Sequence, residues 1–258
     1  MSLNQLQNKT AFIFPDWEVN DKIVALTTTR QNGVSKGNFE GFNIAAHVGD
    51  DSECVVRNRE SLIQLLDVNV DLQWLEQRHG NDVVEARKGS GILPADAVYS
   101  KQAGVACCVT TADCLPVLLT DLEGSMVAAV HAGWRGLFAG VLEQTIESFT
   151  CDTREITAWL GPAIGACHFE VGAEVREKFL STVGNKVSCL IDDCFKPSKI
   201  RGKFMANLYG LASIKLVQLG VSNISGGEFC TYCQDNKFYS YRRQTETGRM
   251  VSLIYIKP

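Results

Sequence analysis

Three side chains of this sequence, each in a distinctive short segment, have the chemistry of metal ligands. They are His79 in QRHGND (77–82), Cys114 in TADCLP (111–116) and His131 in HAGWRG (131–136). Two imidazoles and one thiolate form a ligand set for zinc that leaves one coordination position open to water or substrate. An open position is what separates a catalytic zinc from a structural one. The surrounding elements must therefore bring three separate segments to one point.

For two of the three, the sequence supplies a way to meet. Residues 105–110 (VACCVT) read as a buried strand. After TADC come the apolar run Leu115–Asp121, the turn LEGS (122–125) and a second apolar run, 126–132. Two such runs around a short turn containing Gly predict an antiparallel hairpin. Pairing Asp121 with Met126 sets Leu118 opposite Ala129 and Pro116 opposite His131, with Cys114 on the diagonal from His131. Diagonal neighbours on one face stand roughly 7–8 Å apart at Cα, close enough to share a metal. A slip of one residue would send them to opposite faces. Pro116 lacks a ladder donor and belongs near a strand start or edge. His79 lies in the loop His79–Asp82, ahead of a short strand at 83–86, and no spacing ties it to the other two. On the pattern alone, Cys114 also reads as a small core residue, the histidines as hydrogen-bonded strand ends, and Gly133–Gly136 as a plain turn.

Composition frames the chemistry. With 258 residues, 45% of them hydrophobic, the chain can bury a substantial core as one domain or two interleaved halves. Its 25 Lys and Arg against 29 Asp and Glu give a net charge of −4 without a basic block. Neither nucleic acid nor an anionic membrane is indicated as partner, and small-molecule chemistry is favoured. The opening residues lack a basic segment followed by an apolar one, and no stretch approaches the ~20 apolar residues of a membrane span, so the expected location is cytoplasmic. The ten cysteines then read as reduced thiols. Cys230-x-x-Cys233 has metal-ligand spacing, but the sequence shows no second pair and no neighbouring His to complete a structural set. Cys107 and Cys108 fall in an apolar strand. The four histidines (47, 79, 131 and 168) are too few for a blue-copper plus trinuclear-copper arrangement, and no His-x-His pair occurs. A single copper at the His/Cys/His site stays compatible with its nitrogen and sulfur donors.

The other elements mix strands and helices without a regular βαβ period, which predicts a mixed α/β domain over residues 1–258 with no linker or repeat. Ile23–Thr28 reads as a strand. Residues 52–66 read as a helix with Val55, Leu62, Ile63 and Leu66 on one face, interrupted by Arg59. Residues 137–149 read as an amphipathic helix, so the turn 131–136 would present free N–H groups at a helix start to an anion such as phosphate, reinforced by Arg135. A strand at 157–160 enters the loop Gly161–Gly165. Helices are expected at 172–183 and 205–219, and a closing hairpin of 237–242 with 250–256.

Taken in order, these segments resemble the YfiH family, the laccase-domain or polyphenol oxidase proteins that include purine nucleoside phosphorylases. The likeness runs through TTTR…GVS (27–35), FNIAAHVGD (42–50), NRE (58–60), WLEQRHG (74–80), ADAVYS (95–100), TADCLPVLL (111–119), AVHAGWRG (129–136), WLGPAIG (159–165), FEVG (169–172), CTY (230–232) and FYSYRR…TGRMVSLI (238–254). The resemblance implies layered mixed sheets flanked by helices and a zinc on His79, Cys114 and His131. It implies phosphorolysis of adenosine, inosine, guanosine and methylthioadenosine to base and ribose 1-phosphate, and deamination of adenosine to inosine. Bacterial members are also linked to editing of peptidoglycan precursors. Cys167-His168 stands where relatives vary, so no role carries onto His168.

These readings assign provisional roles. A zinc with an open position lowers the pKa of water toward about 7, giving a nucleophile for adenine C6. Phosphorolysis needs phosphate held against C1′ of the ribose, for which Arg30, Arg135 and Arg242 supply charge, unless they serve surface or interstrand pairing. Asp96 and Asp113 are candidates for proton transfer or for orienting the histidines, Asp113 alternatively for fixing the turn. Asn43 and Gln77 are candidates for hydrogen bonds to base or ribose, or for stabilising loops. A different class of reading makes Cys114 a nucleophile activated by His131, as in a cysteine hydrolase or amidase acting on a cell-wall precursor. A redox or metal-sensing module is a third. No sequence feature fixes an oligomeric state.

Overall fold

Strands with no polar face decide the architecture. Leu115–Asp121 and Val127–Ala132 are buried along their whole length, so their sheet must be covered on both sides. The computed structural model describes residues 11–66, 69–181 and 184–258 and shows what covers them. These two strands lie at the centre of a six-stranded sheet in the order Asn223–Gly226, Ile156–Leu160, Leu115–Asp121, Val127–Ala132, Ala97–Ser100, Val83–Glu85. One face, carrying Leu118, Ala129 and Trp159, packs on Cys107, Val109 and Ile254 of a second sheet. The other, carrying Val117, Leu119 and Val130, packs on helices through Leu137, Leu142 and Leu211.

The second sheet has five strands, ordered Phe12–Ile13, Ile23–Thr28, Met250–Ile256, Val105–Thr111, Asp71–Gln73. Its outer face, with Leu26, Cys108 and Leu253, is covered by Leu62 of helix Ser52–Leu65. The layers therefore run helix, sheet, sheet, helices, a mixed α/β arrangement that matches the expected class. A small sheet of Glu170–Gly172, Lys203–Ala206 and Phe195–Pro197 stands beside them. Among the described residues no helix is long and apolar enough to cross a membrane.

The hairpin has the register expected from its turn: Leu118 pairs with Ala129 and Pro116 with His131. Other expectations need correction. The helix expected at 137–149 begins earlier, at Trp134, and breaks at Gly140, whose φ of 92° ends Trp134–Ala139 before Val141–Glu147 starts. The expected phosphate-binding helix start is thus a six-residue helix that already contains Arg135. Residues 205–206 belong to strand Lys203–Ala206, and the helix is Leu208–Gln218, capped by the Asn207 side chain accepting from Gly210 N–H. The helix expected from 172 is Ala173–Ser181, with 182 and 183 outside the described residues. On helix Ser52–Leu65 and its end, Val55, Leu62 and Leu66 are buried, but Ile63 is half exposed. The closing hairpin does not form. Both edges of Met250–Ile256 are taken, one by Ile23–Thr28 and the other by Val105–Thr111, and 237–242 is a coil whose Phe238 and Tyr239 pack on Ala112 and Met250.

Candidate metal centre and active-site cleft

Strand Val105–Thr111 ends in one sheet and Leu115–Asp121 begins in the other, so residues 112–114 must turn sharply. Asp113 makes the turn with a φ of 98°, a left-handed conformation that costs a non-Gly residue on the order of 1 kcal/mol or more. Its carboxylate compensates, accepting from Thr231 Oγ1 at 2.6 Å and Arg242 N–H at 2.6 Å, while its carbonyl accepts from Ile164 N–H at 2.9 Å. Cys114 emerges beside the strand start with its side chain on the face that carries His131.

His79 reaches the same point through a second left-handed residue, its own φ being 60°. The device that holds it is Asp96. This buried carboxylate accepts from the backbone N–H groups of Arg78 (3.1 Å), His79 (2.9 Å) and Gly80 (2.7 Å), and lies 2.8 Å from His131 Nδ1. One side chain thus fixes the loop that carries one imidazole and the tautomer of the other, leaving His131 Nε2 to face the cleft. The two rings meet edge to face with centroids 4.8 Å apart. The ligand atoms of His79, Cys114 and His131 all lie within 4.8 Å of one another. Gly133 keeps that space clear, since a Cβ there would stand 2.9 Å from Cys114 Sγ. Three convergent nitrogen and sulfur donors, with His131 buried and His79 exposed toward the cleft, fit a divalent metal with an accessible remaining position.

The electrostatics agree with that fit. Burial pushes the Cys114 thiol up, but the charge of His131 and hydrogen bonds from both histidines more than offset it and draw it down to about 6. Burial disfavours charge on His131 as well, yet the Cys114 thiolate and the Asp96 carboxylate raise it to about 9. Burial likewise opposes the Asp96 charge, but the hydrogen bonds from His131 and Gly80 hold it below the usual carboxylate range. Without metal both shifts favour a thiolate beside an imidazolium. A divalent ion held by these donors would take the place of the imidazolium proton beside the same thiolate.

Above the donors opens a cleft of about 830 Å³, within the size range of small-molecule sites. Of the five residues expected to bind substrate, Gln77, Arg135 and Arg242 line it, with His79, Asp113, Cys114 and His131 at its base. Gln77 is fully occupied by Thr110, accepting from its N–H and hydroxyl at 2.8 Å each and donating to its carbonyl at 2.9 Å. Arg135 lies over the Trp134 ring at 4.6 Å, and Arg242 donates to the Glu170 carbonyl at 2.9 Å. Arg30 and Asn43 do not line the cleft, a correction to their expected contact with substrate. Arg30 donates to the carbonyls of Asp235 and Glu40. Asn43 is wholly buried, bridging Ala45 and Asp50. Asp96 and Asp113 have their oxygens engaged in the bonds above, an arrangement that suits the orienting alternative among their expected roles.

The cleft is also lined by three basic residues that the sequence had not pointed to: Arg59, Arg249 and His47. Arg59 stacks over Trp74 at 4.3 Å and donates to the Ile44 carbonyl at 2.9 Å. Arg249 donates to the carbonyls of Thr247 and Gly248. Burial lowers His47, and both arginines lower it further, so its neutral form is favoured beside the two guanidinium groups. Arg59 had left a signal, a charged residue on the apolar helix face between Val55 and Leu62. Cys230 and Cys233, expected to lack partners, acquire two: Cys167 and His168 come to them from another loop.

Comparison with known proteins gives a consistent picture. Residues 24–257 match the family described as multi-copper polyphenol oxidoreductase laccase. The chain is 47% identical over 247 residues to purine nucleoside phosphorylase PA4543 of Pseudomonas aeruginosa, covering 96% of this chain and 99% of the relative. It is 42% identical over 245 residues to purine nucleoside phosphorylase YfiH of Escherichia coli, covering 95% and 98%. The crystal structure of Neisseria meningitidis protein NMB0706 superposes with a TM-score of 0.90 at 42% identity, covering 96% of this chain and all of that one.

Proposed function

From a chain that belongs to the laccase-domain family, we propose a metal-dependent purine nucleoside phosphorylase that also deaminates adenosine. The observation that carries the reading is the His79, Cys114 and His131 donor set at the base of a cleft walled by Arg59, Arg135, Arg242 and Arg249. The relatives named as purine nucleoside phosphorylases support it. The substrates proposed are adenosine, inosine, guanosine and methylthioadenosine, together with inorganic phosphate, and the site suits a cytoplasmic enzyme whose thiols stay reduced.

In phosphorolysis a phosphate oxygen bonds to C1′ of the ribose as the bond from C1′ to the purine nitrogen breaks. The electron pair leaves with the base, which takes up a proton, and ribose 1-phosphate remains. The arginines hold the phosphate charges by charge-assisted hydrogen bonds, while Trp74, Trp134, Phe169 and Tyr241 offer flat apolar surface to the purine. In deamination, water adds at adenine C6 and ammonia departs. His79, Cys114 and His131 would hold the metal, zinc by their donor chemistry, which when bound would supply Lewis acidity at the cleft base. Asp96 keeps His131 oriented with Nε2 inward. The four histidines of the chain do not suffice for a multicopper centre, so the polyphenol oxidase description of the family is not the activity proposed; a single copper ion fits the same donors.

The test is product analysis. Purified zinc-replete protein is incubated with adenosine, with and without phosphate, and the products are separated. Phosphate-dependent adenine with ribose 1-phosphate supports phosphorolysis, and phosphate-independent inosine supports deamination. Neither product from protein with bound zinc would overturn the reading.

One observation favours a second reading, a cysteine hydrolase or amidase. Cys114, His131 and Asp96 stand in the order nucleophile, base and orienting carboxylate, with the thiol drawn down to about 6 after the His131 charge overcomes burial. Metal distinguishes the two. If zinc protects Cys114 from iodoacetamide and turnover requires zinc, the hydrolase reading is refuted; rapid stoichiometric alkylation with turnover in metal-free protein would establish it.

A further inference from the structure

The loop that follows strand Ile156–Leu160 and the loop that follows strand Asn223–Gly226 meet at the end of the parallel pair these strands form. Each brings two side chains able to ligate a metal: Cys167 and His168 from the first, Cys230 and Cys233 from the second. Their ligand atoms all lie within 4.8 Å of one another. Cys167 Sγ stands 3.7 Å from Cys230 Sγ and 3.5 Å from Cys233 Sγ, and His168 Nδ1 stands 3.2 Å from Cys167 Sγ and 3.3 Å from Cys233 Sγ. A tetrahedral zinc with Zn–S of about 2.3 Å and Zn–N of about 2.0 Å separates its sulfurs by about 3.8 Å and sulfur from nitrogen by about 3.5 Å. These four separations lie within a few tenths of an ångström of those values, and the remaining two pairs are within 4.8 Å.

The surroundings supply what such a site needs beyond its ligands. Cys230 Sγ accepts the N–H of Gly165 at 3.3 Å and the backbone N–H of Cys233, bonds that favour thiolate over thiol. The His168 ring stacks on Tyr232 with centroids 4.0 Å apart and planes 14° from parallel, which fixes its direction. At Gly165 a Cβ would stand 3.2 Å from Cys230 Sγ and 3.4 Å from Cys167 Sγ, so glycine leaves the thiols their room.

We propose that Cys167, His168, Cys230 and Cys233 bind a second zinc ion in a closed structural site. Three thiolates and one imidazole complete a tetrahedron, so no position is left for substrate. The ion's role is to clamp two loops that position the cleft. Between its ligands, Thr231 N–H donates to the Ala163 carbonyl at 3.0 Å and Thr231 Oγ1 to Asp113 at 2.6 Å, and Ile164 and Phe169 line the cleft itself. The second site shares no residue with the His79, Cys114 and His131 set, so the inference stands whether or not the nucleoside chemistry does.

Metal content decides it. Full-length protein produced with zinc, purified under reductant and dialysed, is expected to carry two zinc ions per chain by elemental analysis. Cys114→Ala should keep one, Cys167→Ser/Cys233→Ser should keep one, and the triple variant none. Because the double serine variant alters two loops at once, the same question is put to Cys114→Ala with cobalt in place of zinc. Of four thiolate ligands only one is then lost, and about three quarters of the thiolate-to-cobalt charge-transfer absorption should persist. One zinc per chain that Cys114→Ala removes entirely, or loss of the whole cobalt band in that variant, would overturn the proposal. So would a disulfide among Cys167, Cys230 and Cys233 in metal-free protein purified under reductant.

Discussion

Asp96 is where a single atom's change should be felt most widely. Each of its oxygens serves two donors: Oδ1 the His79 N–H and His131 Nδ1, Oδ2 the N–H groups of Arg78 and Gly80. Asp96→Asn turns one oxygen into a donor, and whichever end that is, it faces two groups that also donate. At roughly 1–3 kcal/mol for each buried hydrogen bond to charge that is lost, the metal-free protein should be destabilised by about 2–5 kcal/mol. Loss of an orienting carboxylate behind a metal-bound histidine typically costs about 10–100-fold in metal affinity. The left-handed backbone of His79 loses a restraint at the same time, which places the expectation at the upper end. Zinc affinity is measured by competition with a chromophoric chelator, and stability by urea unfolding of the metal-free protein. Unchanged zinc affinity together with an unfolding free energy within 1 kcal/mol of wild type would refute the reasoning, because it would mean that Asp96 organises neither loop nor imidazole.

Three further expectations follow from the cleft. Gly133→Ala places a Cβ 2.9 Å from Cys114 Sγ and should lower zinc content to well below one per donor set while circular dichroism stays native-like; full zinc occupancy would show that the turn can yield. Arg59→Met and Arg249→Met should each raise KM for phosphate by about tenfold or more, the equivalent of one charge-assisted hydrogen bond, with zinc content unchanged by elemental analysis; equal KM values would remove these arginines from phosphate binding. In metal-stripped protein, Cys114 should alkylate with a rate that rises through about pH 6, since the thiolate form is populated above that value, and added zinc should suppress the reaction; a midpoint in the usual thiol range would contradict the pairing with His131.

How much of this was written in the sequence depends on how local the determinant is. The hairpin register was legible because a four-residue turn containing Gly124 joins two runs that both read as apolar, and it set Pro116 opposite His131 correctly. His79 could be suspected but not placed, because its position depends on Asp96 and on a φ of 60° that no pattern announces. Arg59 was visible as a misfit on an apolar helix face and was read as an interruption, although a guanidinium stacked on Trp74 needs just such a half-buried stem. The apolar strand at 250–256 was found, but its partners were assigned by proximity in sequence, whereas Ile23–Thr28 and Val105–Thr111 occupy both its edges. Cys167 and His168 were given no role, since only the parallel pairing of Asn223–Gly226 with Ile156–Leu160 brings their loop to Cys230 and Cys233. In each miss the deciding contact was long-range.

The crossing at residues 112–114 has a use as a gauge. His131 and the strand that follows Cys114 belong to the six-stranded sheet, while Arg249 leads into a strand of the five-stranded sheet and Arg59 rides on the helix that covers it. The two sheets are stapled at their common end by Ala112, Asp113 and Cys114, and Asp113 is tied in turn to Thr231, Ile164 and Arg242. The interval between His131 and Arg249 therefore follows the spacing of two sheets joined at the seam. Such a frame measures its ligand: a molecule that must touch both ends is selected by the distance between its own polar groups before any contact reads its ring.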